Sequence, residues 1–262
     1  MKIRQNQNSK EKTMQAIILA AGTGSRLKQY TEKVPKCMVP VNGVPMIERA
    51  IESLVDAGIK KLYIGLGYKA EVLKNFIKDN FDDTRLKGMK IDYIENPVYD
   101  RTNNIYSLYL AKDVFEKDDT ILLESDLVFD KKLIGDLVAS KEPNLAVVSK
   151  YEDWMDGTCT ILDSSNNILD FIGKSAQNPN DTDKYYKTVN IYKFSKYFTN
   201  SYYLPFLKTY MDVFGKNNYY ETCLKFLSLT DPTLLKGFKV SADIWYEIDN
   251  PDDLKAAEER FK

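Results

Sequence analysis

Between Gln15 and Glu124 short apolar runs alternate with amphipathic stretches, a rhythm that suits strands and crossover helices around a mostly parallel sheet. AIILA (16–20) reads as a buried first strand. Over 45–57 the residues Met46, Ile47, Ala50, Ile51, Leu54 and Val55 share one helical face, and Gly58 is placed to stop the helix. A strand at 61–67, a helix at 70–80, a strand at 90–95, a helix from about Asn104 to Asp113 and a strand at 120–124 continue the alternation. After Asn144 the pattern changes: LAVVSKY, TCTILD, NILDFIG and KYYKTVNIYKF read as strands, with DSSNN (163–167) as a hairpin turn. That half should carry antiparallel strands. The polar segment AQNPNDTDK (176–184) is either a lid or a plain solvent loop. Helices follow near 201–213 and 218–229, and the last opens with Asn250 as N-cap, Pro251 at the first helical position and two carboxylates in its first turn.

Composition narrows the chemistry. The chain has no histidine, which excludes a Ser/His/Asp or Cys/His triad, a histidine-ligated zinc and a phosphohistidine intermediate. Catalysis is left to Asp, Glu, Lys, Arg, backbone amides and a metal. With 37 Lys plus Arg against 38 Asp plus Glu, the near-zero net charge offers no general attraction for nucleic acid or an anionic membrane. Any phosphate recognition must be local. Cys37, Cys159 and Cys223 are odd in number and fit neither a disulfide framework nor a zinc pattern, and no stretch has the ~20 apolar residues of a membrane span. The expected location is the cytoplasm.

AAGTGSRL (20–27) follows the first strand. Small residues at Ala20, Ala21, Gly22 and Gly24, with Thr23 and Ser25 between and beyond them, let backbone amides close around phosphate oxygens, and Arg26 adds a permanently charged donor. Leu27 breaks the dinucleotide fingerprint and no Walker spacing is present, so an ordinary strand-to-helix turn is the competing reading. Pro35 biases VPKCMVPVNG toward a surface loop that can return Lys36 to the phosphate site. Taken together, AAGTGSRL, the PK pair and a VNGVP turn leading into a helix resemble the N-terminal signature of the sugar-nucleotide and related nucleotidylyltransferases. The resemblance runs over most of 15–260, strongest before 130 and weak over 150–240.

The resemblance implies a Rossmann-like α/β fold with a mostly parallel mixed sheet and an antiparallel substrate-binding portion. On this reading residues 1–13 are a disordered extension and 14–262 one domain, with a nucleotide half (14–143) and an acceptor half (144–262). LLESDLVF places Asp126 just past the end of a buried strand, where open α/β sheets bind ligands and where a carboxylate can hold Mg²⁺ against a nucleotide α-phosphate. The resemblance assigns that role to Asp126 and a second metal-ligand role to Asp249, which otherwise would merely help cap the last helix. Glu247 is the neighbouring alternative.

TNNIYSLYLA (102–111) resembles the CTP:phosphocholine cytidylyltransferase branch, in which Asn104 and Ser107 would approach the nucleotide. Related enzymes act on phosphocholine, phosphoethanolamine or 2-aminoethylphosphonate, and activate headgroups for lipid or surface-glycan decoration. The implied reaction is transfer of CMP from CTP to such an acceptor, with Mg²⁺ as cofactor and Lys36, Arg26 and Asp126 as the catalytic set. Aromatic and acidic residues crowd the second half, and Tyr192, Trp245, Glu221 and Asp243 are the acceptor-site candidates: rings suit a quaternary amine, whereas carboxylates suit a primary one. The balance favours the primary amine. A homodimer and a longer parent chain carrying an aminotransferase domain are compatible with the resemblance. The rival readings are a sugar-1-phosphate nucleotidylyltransferase using UTP or dTTP and an inactive nucleotide-sensing subunit.

Overall fold

AIILA is apolar on both faces, as a strand covered by helices on each side must be, and it lies within β1 (Met14–Ala20) of the computed structural model, which describes residues 14–262. The expected disordered extension over 1–13 lies outside the described residues. There follow α1 (Met46–Asp56), β2 (Lys61–Leu66), α2 (Ala70–Asn80), β3 (Lys90–Glu95), α3 (Asn104–Leu110), β4 (Asp119–Glu124), β5 (Leu127–Phe129), α4 (Lys132–Ala139) and β6 (Leu145–Lys150). The second half adds β7 (Cys159–Leu162), β8 (Ile168–Ile172), β9 (Tyr185–Phe194), α5 (Leu204–Phe214), α6 (Glu221–Thr230), β10 (Lys236–Val240), β11 (Trp245–Glu247) and α7 (Pro251–Arg260).

One nine-stranded sheet holds the two halves together. Strands β3, β2, β1 and β4 run parallel in that spatial order, and β9 joins β4 antiparallel. Strand β9 pairs along one edge with β6, and along the other with β7 first and β4 afterwards. Where it changes partners, its register with β6 shifts between Thr188 and Tyr192, and Asn190 takes a left-handed φ of 60°. This bulge bends the sheet and re-aims side chains. Ala16 and Ile18 pack with α1 and α2 through Ile47, Ile51 and Leu73, whereas Ile17 and Leu19 pack with α3, α5 and α6 through Ile105, Leu108, Leu207 and Leu224. The alternating faces of a single strand therefore feed two cores.

Most expected elements are present within a residue or two, and the turn at 163–167 does join β7 to β8. The helix expected to run on to Asp113 stops at Leu110, and a separate turn over Lys112–Phe115 carries Val114 and Phe115 into the core. The segment at 176–184 forms a short helical turn over Pro179–Lys184, and Gln177 ties it back by donating to the carbonyls of Gly157 (2.6 Å) and Ile172 (3.2 Å). All three cysteines are buried free thiols. Among the described residues no helix is long and apolar enough to cross a membrane.

Candidate active site

The spatial order β3-β2-β1-β4 makes the crossovers leave β1 and β4 in opposite directions, which opens a crevice at their C-terminal ends. The loop after β1 enters that crevice. Gly24 has φ 61°, and a Cβ there would stand 2.7 Å from Lys36 Cβ, so only glycine lets the loop after β1 and the Lys36 segment touch. Pro35, at φ −68° and ψ 156°, delivers Lys36 into a single helical turn, and the Asn42-Gly43 pair then closes a tight hairpin in which Val41 faces Val44.

Lys36 donates from Nζ to Asp126 Oδ2 (2.7 Å) and to Asp249 Oδ1 (2.6 Å), and Arg26 donates to the same Asp249 oxygen at 2.7 Å. Two carboxylates 123 positions apart in sequence thus meet on one ammonium. The reason is a strand pairing: β11 pairs antiparallel with β5, and the Ile248 amide donates to the Asp126 carbonyl at 2.9 Å, so Asp126, just before β5, and Asp249, two residues past β11, are brought to the same place. Asn250 caps α7 by accepting from the amides of Asp252 and Asp253, while Asp253 accepts from the amides of Asp249 and Asn250. That cap holds the Asp249 backbone and leaves its carboxylate for Lys36 and Arg26. Burial pulls the Lys36 ammonium toward deprotonation, but the two carboxylates outweigh it and hold its pKa above the ordinary lysine value.

Asp126 Oδ1 is buried and has no hydrogen-bond partner among the described residues. Among the described residues no group of three or more His, Cys, Asp or Glu side chains forms a metal cage. Two carboxylates, one with a spare oxygen, are nevertheless the donor set with which Mg²⁺ is usually held when a nucleotide supplies further oxygens.

The crevice widens into a cavity of about 870 Å³, large enough for a nucleotide and a small second molecule. Ala20, Ala21, Gly22, Thr23, Gly24, Ser25, Arg26, Lys36, Asn104, Ser107, Asp126, Glu221 and Asp249 all line it. Asn104 ties three elements together: it donates to Glu124 Oε1 (3.2 Å) and accepts from the Tyr220 amide (3.1 Å), at the start of a helix capped by Asn103. Ser107 accepts from Asn96 at 3.0 Å. One wall of the cavity is acidic. Burial, then the charges of Asp126 and Glu221, hold the Glu124 carboxyl well above the usual range, and burial raises Glu221 to about 7. Glu221 Oε2 is buried with no hydrogen-bond partner among the described residues.

Three expected acceptor-site residues lie elsewhere. Tyr192 is fully buried behind the wall, its ring 5.5 Å from Phe194 and 5.8 Å from Tyr220. Trp245 is also fully buried, 5.4 Å from the Trp154 ring, on the same side of β11 as Glu247 but two residues deeper. Asp243 is exposed and accepts from Ser241, away from the cavity. Aromatic density in the second half therefore marks core, as large rings in a folded chain commonly do. Sequence reasoning passed over Lys187 and Asn190, which the β9 bulge brings to the cavity wall beside Glu247. A lysine inside a run of strand-forming residues was the available signal.

A model of the nucleotidyl transferase family matches residues 15–259. The chain belongs to that family. This nucleotidyl transferase is 28% identical over 249 residues to a CMP-5'-(3-aminopropyl)phosphonate synthase of Streptomyces rubellomurinus, an alignment covering 95% of this chain and 39% of that protein. The chain thus spans about two-fifths of that relative. A CTP:phosphoglutamine cytidylyltransferase of Campylobacter jejuni is 28% identical over 94% of this chain and 100% of its own length. Among solved structures, the CTP:phosphocholine cytidylyltransferase of Streptococcus pneumoniae superposes with a TM-score of 0.78 at 24% identity, covering 95% of this chain and 100% of the other, a likeness of fold.

Proposed function

We propose that this nucleotidyl transferase is a cytidylyltransferase that moves CMP from CTP to a small amino-alkyl phosphate or phosphonate and releases pyrophosphate. The names of the relatives support the nucleotide. The observation that carries the acceptor class is the composition of the cavity wall: among the described residues Glu124 and Glu221 face the cavity with no cation partner, and Tyr99 and Tyr219 are the only rings lining it. A quaternary ammonium is best held by a cage of rings, whereas a primary ammonium needs oxygen acceptors. This favours 2-aminoethylphosphonate or phosphoethanolamine over phosphocholine.

In the proposed reaction an acceptor oxyanion attacks the α-phosphorus in line. The new P–O bond forms as the bond from that phosphorus to the bridging oxygen breaks, and pyrophosphate leaves with the electron pair. The nucleophile arrives ionised, so no general base is required, consistent with a chain that has no histidine. The loop amides over 21–24 receive the triphosphate, Arg26 and Lys36 neutralise its charge, and the packing of Gly24 on Lys36 keeps the two groups in one place. Asp126 and Asp249 would hold Mg²⁺, whose contribution when bound is Lewis-acid neutralisation of the phosphate oxygens.

A panel of CTP, UTP, dTTP and GTP against 2-aminoethylphosphonate, phosphoethanolamine, phosphocholine and glucose 1-phosphate, read by pyrophosphate release, tests the proposal. CTP with a primary amine should give the highest kcat/KM. Faster turnover of glucose 1-phosphate than of every amine would overturn it, as would CTP binding without product from any acceptor.

A further inference from the structure

The proposed transfer must bring two anions together, and the cations visible on the glycine-loop side, Arg26 and Lys36, are both engaged by Asp249. The opposite wall carries Glu124, Glu221 and Glu247, which repel an incoming phosphate or phosphonate. One buried cation stands among them. Lys187 is 2% exposed, lines the cavity, and donates from Nζ to the Thr188 carbonyl (2.6 Å) and to Glu247 Oε2 (3.0 Å). An ammonium has three N–H donors, and the third has no acceptor among the described residues.

Stability does not account for this lysine. A buried Lys–Glu pair is commonly no more stable than apolar residues of the same volume, and here it faces a cavity. Gly157, also on the cavity wall, has φ 96°, and a Cβ there would lie 3.3 Å from Lys187 Cε and 3.4 Å from Nζ. Glycine leaves that side of the ammonium uncovered. Glu247 has a second partner, since Asn190 donates to its Oε1 at 3.1 Å from the β9 bulge, so the carboxylate stays anchored if Lys187 turns to another anion.

We propose that Lys187 binds the phosphate or phosphonate group of the acceptor, placing its oxyanion between Lys187 and the nucleotide while Glu221 and Glu124 take the ammonium end; the inference rests on the amino-alkyl acceptor reading above. The test uses the full chain with CTP, Mg²⁺ and 2-aminoethylphosphonate. Lys187→Gln should raise the acceptor KM by about 30-fold, within the range for loss of a charge-assisted hydrogen bond, with the CTP KM within about threefold of wild type. Lys187→Arg should restore part of the loss, and inorganic phosphate should lose potency as a competitor of the acceptor in the Gln variant. Because Lys187→Gln leaves the half-buried Glu247 beside a neutral group, Lys187→Met/Glu247→Gln provides a charge-balanced second variant, and its acceptor KM should remain raised. An unchanged acceptor KM in either folded variant, or an equal rise in both KM values, overturns the proposal. If the wild type turns over no acceptor at all, the functional reading fails. Calorimetric titration of 2-aminoethylphosphonate then still reads Lys187: weaker binding to the Gln variant supports it, and equal or absent binding sinks it.

Discussion

Replacing Glu221 with glutamine should remove a pH dependence that wild type displays. Burial raises the Glu221 carboxyl from 4.5 to about 7, so roughly a tenth of it is ionised at pH 6 and about nine-tenths at pH 8. A primary ammonium binds the ionised form, so kcat/KM for 2-aminoethylphosphonate should rise about tenfold across that interval from this group alone. The second ionisation of the phosphonate is common to both proteins. The ratio of wild type to Glu221→Gln, measured by pyrophosphate release from pH 5.5 to 8.5 at fixed free Mg²⁺, therefore isolates the carboxylate. Lys187 opposes the shift, Glu247 reinforces it and Asn104 opposes it by hydrogen bonding. The stability of the free protein should move the other way. A carboxyl raised on folding favours the protonated fold, so stability is lost as pH climbs from about 4.5 through about 7, and the glutamine variant should show a flatter curve in urea melts. A wild-type to variant ratio that stays constant with pH would refute the reasoning.

Other outcomes follow from the same geometry. Lys36→Ala removes the one ammonium shared by Asp126 and Asp249, and should lower turnover at least ~100-fold, the scale for losing a preorganised charge donor; near-normal kcat would discount its role. Asp126→Asn and chelation with EDTA should each abolish product while circular dichroism stays native, and activity surviving chelation would remove Mg²⁺ from the proposal. Gly67→Ala places a Cβ 2.5 Å from the Ala21 carbonyl and 2.8 Å from Tyr99, so it should cost about 1–3 kcal/mol in urea unfolding and raise the CTP KM; an unshifted midpoint would show that the loop gives way freely.

Periodicity made the parallel half legible, because Ala16, Ile18 and their neighbours must be apolar on both faces of a covered strand and α1 shows its buried stripe directly. The strands at 127–129 and 236–240 escaped notice: at three and five residues they are too short to display alternation. The Gly24, Arg26, Lys36, Asp126 and Asp249 grouping was anticipated through the family resemblance, because the residues taken singly read equally well as an ordinary turn, a solvated lysine and a helix cap. Trp245 and Tyr192 misled because an aromatic ring has the same letter whether it faces a ligand or a core.

By itself the sequence determined the alternation of strands and helices, the glycine loop and the capped start of α7, all of which depend on residues within a few positions of one another. Tertiary structure alone decided that Asp249 would reach Lys36 and Asp126, and that Lys187 and Asn190 would turn onto Glu247 rather than into the sheet's packing. Those outcomes depend on the β5–β11 pairing and on the partner change of β9, which join segments far apart in the chain. Hydrogen-bond register between distant strands leaves no local mark in composition, and it is register that selects which charged side chains share a cavity.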